Sequence, residues 1–135
     1  MAALSKLTTL RSLNLETTPI TDAGLRNLAG LTNLEDLNLF LTSVGDQGLA
    51  HLKGLTKLKR LSLWMTNITD AGLVHLAGLP NLEALDLAGT GITDAGLIQL
   101  RSLTNLRTLG LADTKVTEAG VRSLQKALPK VNVTR

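Results

Sequence analysis

Threonine is the residue whose recurrence in this sequence comes nearest to a catalytic pattern. It occupies one position of a unit that recurs every 24 residues, at Thr18, Thr42, Thr66, Thr90 and Thr114. A hydroxyl becomes a nucleophile when an adjacent general base activates it, and the unit places no base beside the threonine. We therefore interpret these residues as structural, with hydroxyls that form hydrogen bonds to the neighbouring loop backbone.

Two further sets of residues raise the question of metal binding. His51 and His75 occupy equivalent positions one unit apart, but a zinc site needs three or four ligands, and no other His or Cys lies beside them in the sequence. A series of acids could indicate a calcium ladder: Asp22, Asp46, Asp70 and Asp94. Apolar residues follow these acids, which favours helix starts where Asp94, or Thr93 before it, accepts backbone N–H bonds. The sequence thus predicts no metal and no cofactor.

All of these residues belong to a repeat that runs through the chain. The copy LPNLEALDLAGTGITDAGLIQLRS shows the pattern LxxLxxLxLxxTxITDAGLxxLxx most clearly. We expect one domain over residues 1–135, because the period leaves no room for a linker. The copies span 7–30, 31–54, 55–78, 79–102 and 103–127, with a partial unit at 1–6 and a C-terminal cap at 128–135.

The two ends of the chain differ from the regular copies. Residues 1–6 resemble the tail of a further unit, which predicts a cut N-terminus with Met1 as an added start; the alternative is a short natural cap. At the other end, Leu128, Val131 and Val133 can supply a final strand, and the polar residues around them are typical of a terminal capping unit.

Each copy changes its periodicity halfway. Leucines alternate in the first half, as in Leu85 and Leu87, which predicts a strand with one buried face. Apolar residues from Ile92 to Leu100 take helical spacing, which predicts a short helix. The glycine within that helix costs about 1 kcal/mol relative to alanine, so we expect it where the helix closely approaches a neighbouring element.

The complete pattern resembles a leucine-rich repeat, with threonine where asparagine is common. Its TDAGL half is similar to the 24-residue form of bacterial repeat proteins and, more distantly, to the cysteine-containing subtype of F-box proteins. The resemblance covers essentially the whole chain. It implies an α/β fold, a right-handed solenoid with a concave parallel β-sheet and short α-helices on the convex side. It implies a protein-interaction role only in general terms, because the fold accommodates many partners.

Composition narrows the classes of partner. The formal net charge of +3 is too small to indicate nucleic acid or a membrane surface. No apolar run reaches transmembrane length, and Met1 leads into MAALSKL without the apolar segment of a signal peptide, so the sequence leaves the compartment open. The absence of cysteine excludes a disulfide framework and a thiolate metal site.

One surface stands out as a candidate binding site. The only Phe and the only Trp, Phe40 and Trp64, occupy the same position of adjacent copies, just after the strand. Parallel strands lie about 4.8 Å apart, so we expect the two rings side by side on the concave face. An apolar cluster with a charged rim is typical of an interaction hot spot. The predicted site comprises Phe40, Leu41, Trp64, Met65, Asp36, Asn38, Arg60, Ser62 and Asp86.

The sequence therefore predicts a protein- or peptide-binding module that uses its concave face. In the alternative interpretation of the two aromatic residues, they fold over the sheet edge and merely cover backbone. The alternative function is a structural scaffold, or a fragment that associates with itself through its N-terminal end. Catalysis is not predicted, since phosphate-binding loops, HExxH and nucleophile-elbow motifs are all missing from the sequence.

Overall fold

The computed structural model describes residues 2–135, so the expectation that Met1 is an added start lies outside the described residues. Its central element is a six-stranded parallel sheet in which the strands follow one another in chain order. Each strand has three residues: β1 (Ser12–Asn14), β2 (Asp36–Asn38), β3 (Arg60–Ser62), β4 (Ala84–Asp86), β5 (Thr108–Gly110) and β6 (Asn132–Thr134).

The register of the sheet follows the 24-residue period. The middle residues of neighbouring strands pair with one another: Leu13, Leu37, Leu61, Leu85, Leu109 and Val133. Because side chains alternate along a strand, these residues share one face and enter the core. The four leucines from Leu37 to Leu109 are at most 2% exposed. The period therefore becomes a continuous aliphatic core between the sheet and the helices.

Short helices form the opposite layer. The α-helices are α1 (Asp22–Leu25), α2 (Asp46–Leu49), α3 (Asp70–Leu73), α4 (Asp94–Leu97) and α5 (Glu118–Ala127). The first four continue directly into 3-10 helices at Arg26–Leu28, Ala50–Leu52, Val74–Leu76 and Ile98–Ser102, and another 3-10 helix spans Ala2–Lys6. Within residues 2–135, we find no helix with the length and apolar character that crossing a membrane requires.

The aspartates that begin these helices connect each repeat to the next. Asp70 accepts hydrogen bonds from the backbone N–H of Thr93 at 2.8 Å and from its hydroxyl at 2.6 Å. Asp46 and Asp94 bind Thr69 and Thr117 in the same way. Of the two predicted helix caps, Asp94 or Thr93 before it, the aspartate is therefore wrong and the threonine is correct.

The threonines of this group cap the helices instead. The Thr93 hydroxyl accepts from the backbone N–H of Ala95 at 3.2 Å, and Thr117 accepts from that of Gly120, also at 3.2 Å. Since each hydroxyl also donates to the aspartate of the preceding repeat, it uses both of its hydrogen-bonding functions. Helix capping and repeat stacking are therefore coupled through one side chain.

This arrangement explains four of the five helical glycines: Gly48, Gly72, Gly96 and Gly120. A Cβ atom added at Gly48 would lie 2.6 Å from the carboxylate of Asp22, and the glycines of the next three repeats meet the corresponding Asp46, Asp70 and Asp94. Alanine would occupy the space of the aspartate carboxylate, which offsets its higher helix propensity. The close approach expected from the sequence is thus to the side chain of the preceding repeat.

The link between repeats predicts a specific pH dependence at Asp94. The hydroxyl and backbone N–H of Thr117 lower the pKa of Asp94 below its ordinary value. A carboxylate with a lowered folded-state pKa stabilises the fold above its unfolded pKa of about 4, and this contribution disappears as the pH falls through the folded-state value. We expect wild type to lose stability more steeply than Asp94→Asn below about pH 4. Denaturant titrations of both proteins would measure this, and parallel curves would contradict it.

The last repeat ends differently from the others. Helix α5 has ten residues, which accommodates the extra residue of this copy. Leu128 and Val131 are buried in the core, and Val133 pairs with Leu109 in β6. The expected final strand is present, and it closes one side of the aliphatic core.

Candidate functional site

The outward residues of all six strands line one continuous trough. Its volume is about 560 Å³, and it runs along the concave face from β1 to β6. Each strand contributes the residues on either side of its inward-facing middle residue. Five predicted site residues lie in this trough: Asp36, Asn38, Arg60, Ser62 and Asp86.

A tight turn follows each of the strands β1 to β5, and these turns form the rim of the trough. In the turn Leu63–Thr66, the backbone N–H and the hydroxyl of Thr66 both donate to the Leu63 carbonyl, at 3.2 and 2.6 Å. Met65 in this turn has a φ of 52°, and Leu41 has the same value one repeat earlier. A positive φ is uncommon in residues other than glycine, and the recurrent turn imposes it here.

The threonine hydroxyls that raised the possibility of catalysis are committed to these turns. Thr42, Thr66 and Thr90 are buried and donate to the carbonyl three residues earlier at 2.8, 2.6 and 2.5 Å. Each bond lies within a single turn. The recurring threonines therefore fix the shape of the rim.

The four apolar residues of the predicted site lie together on this rim. Phe40 and Trp64 stack with 4.4 Å between their ring centroids and 24° between their planes. Backbone bonds hold successive turns together, since Leu41 N–H donates to the Trp64 carbonyl and Met65 N–H to the Ala88 carbonyl, both at 2.9 Å. We call Phe40, Leu41, Trp64 and Met65 the aromatic patch.

The aromatic patch remains accessible to solvent. Leu41, Trp64 and Met65 are 48%, 42% and 49% exposed, while Phe40 is half-buried. Phe40 packs on the indole ring, and Trp64 is the more exposed of the two aromatic residues. Large apolar side chains that are exposed together, beside polar residues, are typical of interaction sites.

Polar residues in the trough are held by specific contacts. The Arg60 guanidinium contacts both carboxylate oxygens of Asp36 and donates from Nη2 to Oδ2 at 2.8 Å. Asn38 accepts from the Phe40 N–H at 3.0 Å through Oδ1 and donates to Glu16 at 2.7 Å through Nδ2. Asn38 thereby connects the floor of the trough to the aromatic patch.

Glu16 is a neighbour of the aromatic patch that the predicted site omitted. It occupies the position of Phe40 and Trp64 in the first repeat, and that shared position was the signal available in the sequence. Its hydrogen bond to Asn38 extends the patch towards β1. The acidic group therefore lies at one end of a row that continues through the two stacked rings.

A second set of charges lies where the strands begin, at the edge opposite the turns. Glu35 binds Lys59 at 2.8 Å and Arg11 at 3.2 Å. The Lys59 ammonium group lowers the pKa of Glu35, and Glu35 in turn raises the pKa of Lys59. Arg11 is exposed and the other two side chains are only half-buried, so solvent screens these ion pairs and we expect them to contribute little to stability.

The histidines lie on the helical side of the solenoid. His51 and His75 belong to the 3-10 helices Ala50–Leu52 and Val74–Leu76 and are half-buried. Across the part of the chain that the structure describes, no three His, Cys, Asp or Glu side chains are grouped to hold a metal ion. The aspartates of the suspected calcium ladder bind the next repeat.

Comparisons with known proteins agree with this architecture. The family model described as Leucine Rich repeat matches residues 6–29, 30–52, 54–77 and 78–100, well over half of the chain. A search of curated proteins finds no match.

Solved structures provide a second comparison. An internalin (inlF) from Listeria monocytogenes superposes with a TM-score of 0.84 and 28% identity, over 98% of this chain and 36% of that one. Internalin C2 from the same organism gives 0.78 and 32%, over 99% and 56%. A leucine-rich repeat protein of Leptospira interrogans gives 0.70 and 18%, over 98% and 38%, and shows the fold alone. The chain thus spans 36 to 56% of these three proteins, and the predicted solenoid fold is confirmed.

Proposed function

Because the chain belongs to the leucine-rich repeat family, whose members are generally protein-interaction modules, we propose that it binds a protein or peptide partner on its concave face. The observation that carries this proposal is the stack of half-buried Phe40 and exposed Trp64 at the rim of the trough. Aromatic residues dominate binding hot spots because they bury a large apolar area with few rotatable bonds.

The rigidity of the aromatic patch supports the same proposal. Successive turns are joined by backbone hydrogen bonds, and Asn38 fixes the N–H of Phe40. A partner therefore does not have to order the backbone beneath the rings. Preorganisation of this kind lowers the entropic cost of association.

The trough gives the partner a second contact region. Its twelve outward strand positions offer amide, hydroxyl, carboxylate and guanidinium groups beside the aromatic patch. Such polar groups orient a ligand whose affinity comes from an apolar anchor. We assign the chain no catalytic role, since the threonine hydroxyls support turns and the internalin-like structures belong to a family of typically non-enzymatic interaction modules.

A peptide-display experiment tests the proposal. Short random peptides would be selected on the wild-type protein, and their affinities would be measured again on the double variant Phe40→Ala, Trp64→Ala. We expect affinity to fall roughly tenfold or more, because the variant removes both aromatic anchors. Circular dichroism would verify that the variant remains folded.

The helical side provides a matched control. Val74 and Ile98 are also apolar, 52% and 55% exposed, and equivalent in adjacent repeats. The variant Val74→Ala, Ile98→Ala should leave affinity unchanged within about twofold. Equal losses in both variants, or no loss in either, would refute the concave-face proposal. Sedimentation of the unliganded protein over a dilution series tests the alternative of self-association.

A further inference from the structure

Small residues, and no further aromatic side chain, follow the aromatic patch on one side. Strand order places Phe40 on one side of Trp64 and Ala88 on the other, and Phe40 stacks on the indole ring. The positions that follow Trp64 in the same row carry only methyl groups, at Ala88 and Ala112. Trp64 nevertheless remains 42% exposed. Beyond the indole lies a shelf of small residues, which we define as Ala88, Gly89, Gly110 and Ala112. Ala88 is covered, at 8% exposure, whereas Gly89 is exposed and Gly110 and Ala112 are half-buried.

A carboxylate lies at this shelf. Asp86 precedes Ala88 by two residues and accepts its N–H through Oδ1 at 3.0 Å. A Cβ atom added at Gly110 would lie 2.5 Å from the same oxygen, so the carboxylate extends over the glycine of the next strand. Among residues 2–135, only the Ala88 N–H donates a hydrogen bond to the Asp86 carboxylate. Its second oxygen remains available to a ligand.

The charge of the concave face differs in sign from that of the whole chain. Its strand and turn positions carry four carboxylates, of Glu16, Asp36, Asp86 and Asp113, and one guanidinium, of Arg60. Arg60 is already held by both oxygens of Asp36. The cations Arg11, Lys59 and Arg107 precede their strands, at the edge opposite the turns. The chain as a whole has a net charge of +3, so the acidic excess is local to this face.

We propose that the peptide partner places a lysine or arginine side chain on the shelf, against the exposed part of the Trp64 indole and the carboxylate of Asp86. This inference rests on the proposed function and specifies its ligand. Among aromatic side chains, indole attracts cations most strongly, and a neighbouring carboxylate adds a charge-assisted hydrogen bond. An acidic ligand residue at this position would meet repulsion from Asp86 and Asp113.

The shelf also fits the shape of such a side chain. Lysine and arginine have long aliphatic stems that pack on apolar surface while the charged end stays polar. Met65 lies against Gly89, since a Cβ atom there would approach the Met65 Cγ to 2.9 Å. The stem would contact Met65 and Trp64, and the charged end would reach Asp86.

The peptides selected on the wild-type protein test this inference directly. We expect those that depend on Phe40 and Trp64 to be enriched in lysine or arginine. Replacement of that residue by norleucine should weaken binding about fivefold or more, and Asp86→Asn should do so about threefold or more. Asparagine retains the oxygen that accepts the Ala88 N–H, as Asn38 does for Phe40. The rim structure should therefore survive.

Glu118→Gln supplies the control, because it removes one exposed carboxylate on the helical side. It should not change affinity for the cationic peptides, and their binding should weaken with salt more in wild type than in Asp86→Asn. Peptides that require the aromatic patch but lack a cationic residue, or that bind Asp86→Asn as well as wild type, would overturn the inference and leave the proposed function intact. Failure to select any peptide that requires the aromatic patch would overturn both.

Discussion

Replacement of Leu61 by alanine is expected to lower the free energy of unfolding by about 2–5 kcal/mol. Leu61 is the middle residue of β3, it is 2% exposed, and it pairs in register with Leu37 and Leu85. Repeats on both sides enclose the side chain, so truncation leaves a cavity that the aliphatic core fills poorly. Denaturant unfolding followed by circular dichroism would measure the change.

Leu13→Ala is the matched control for this prediction. Leu13 occupies the same position in β1, but one neighbouring strand is present beside it and its side chain is only partly buried. The same truncation should therefore cost clearly less at Leu13 than at Leu61, because the transfer and cavity terms both decrease with exposure. Equal losses at the two positions would contradict the view that burial between neighbouring repeats stabilises each unit.

Gly96→Ala is expected to reduce stability by about 1–3 kcal/mol, although alanine is the better helix former by about 1 kcal/mol. The added methyl group would occupy the position of the Asp70 carboxylate and would lie 3.1 Å from Leu73. Asp70 would have to move away from Thr93, with loss of the bonds at 2.8 and 2.6 Å. Steric displacement thus outweighs helix propensity.

Two further variants isolate this mechanism. Gly78→Ala is the control, because a Cβ atom at Gly78 meets nothing within 4 Å, and its stability should remain within about 0.5 kcal/mol of wild type. In the Asp70→Ala background, Gly96→Ala should become neutral or stabilising, since the carboxylate that opposes it is gone. A double-mutant cycle would measure this coupling. Additive effects of the two substitutions would exclude the proposed contact.

The periodicity of the sequence was sufficient to predict the layers of the fold. Leucines at the strand and helix positions required a buried face on each element, and the constant spacing required neighbouring units to stack in register. The paired middle residues from Leu13 to Val133 follow from that argument. The position of Phe40 and Trp64, two residues after their strands, predicted their proximity for the same reason, because equivalent residues of stacked repeats are neighbours.

The hydrogen-bonding partners of the aspartates did not follow from the periodicity. An acid before a short apolar segment has two local explanations, a helix cap or a ligand, and both concern its own repeat. Asp70 instead binds Thr93 of the next repeat. The sequence alone does not contain the distance between a helix start and the loop that stacks on it, so the bonding partner was not predictable from local spacing.

The sequence by itself determined the repeat length, the aliphatic core positions, the alternation of strand and helix, and the position of the aromatic residues on one face. These features depend on periodicity, which is a property of the chain. Tertiary structure decided which groups remain available: Phe40 and Trp64 stack, Arg60 is held by Asp36, and the Asp86 carboxylate extends over Gly110. Such contacts depend on the separation and rotation of stacked repeats, which fix side-chain conformations that the spacing of residues leaves open.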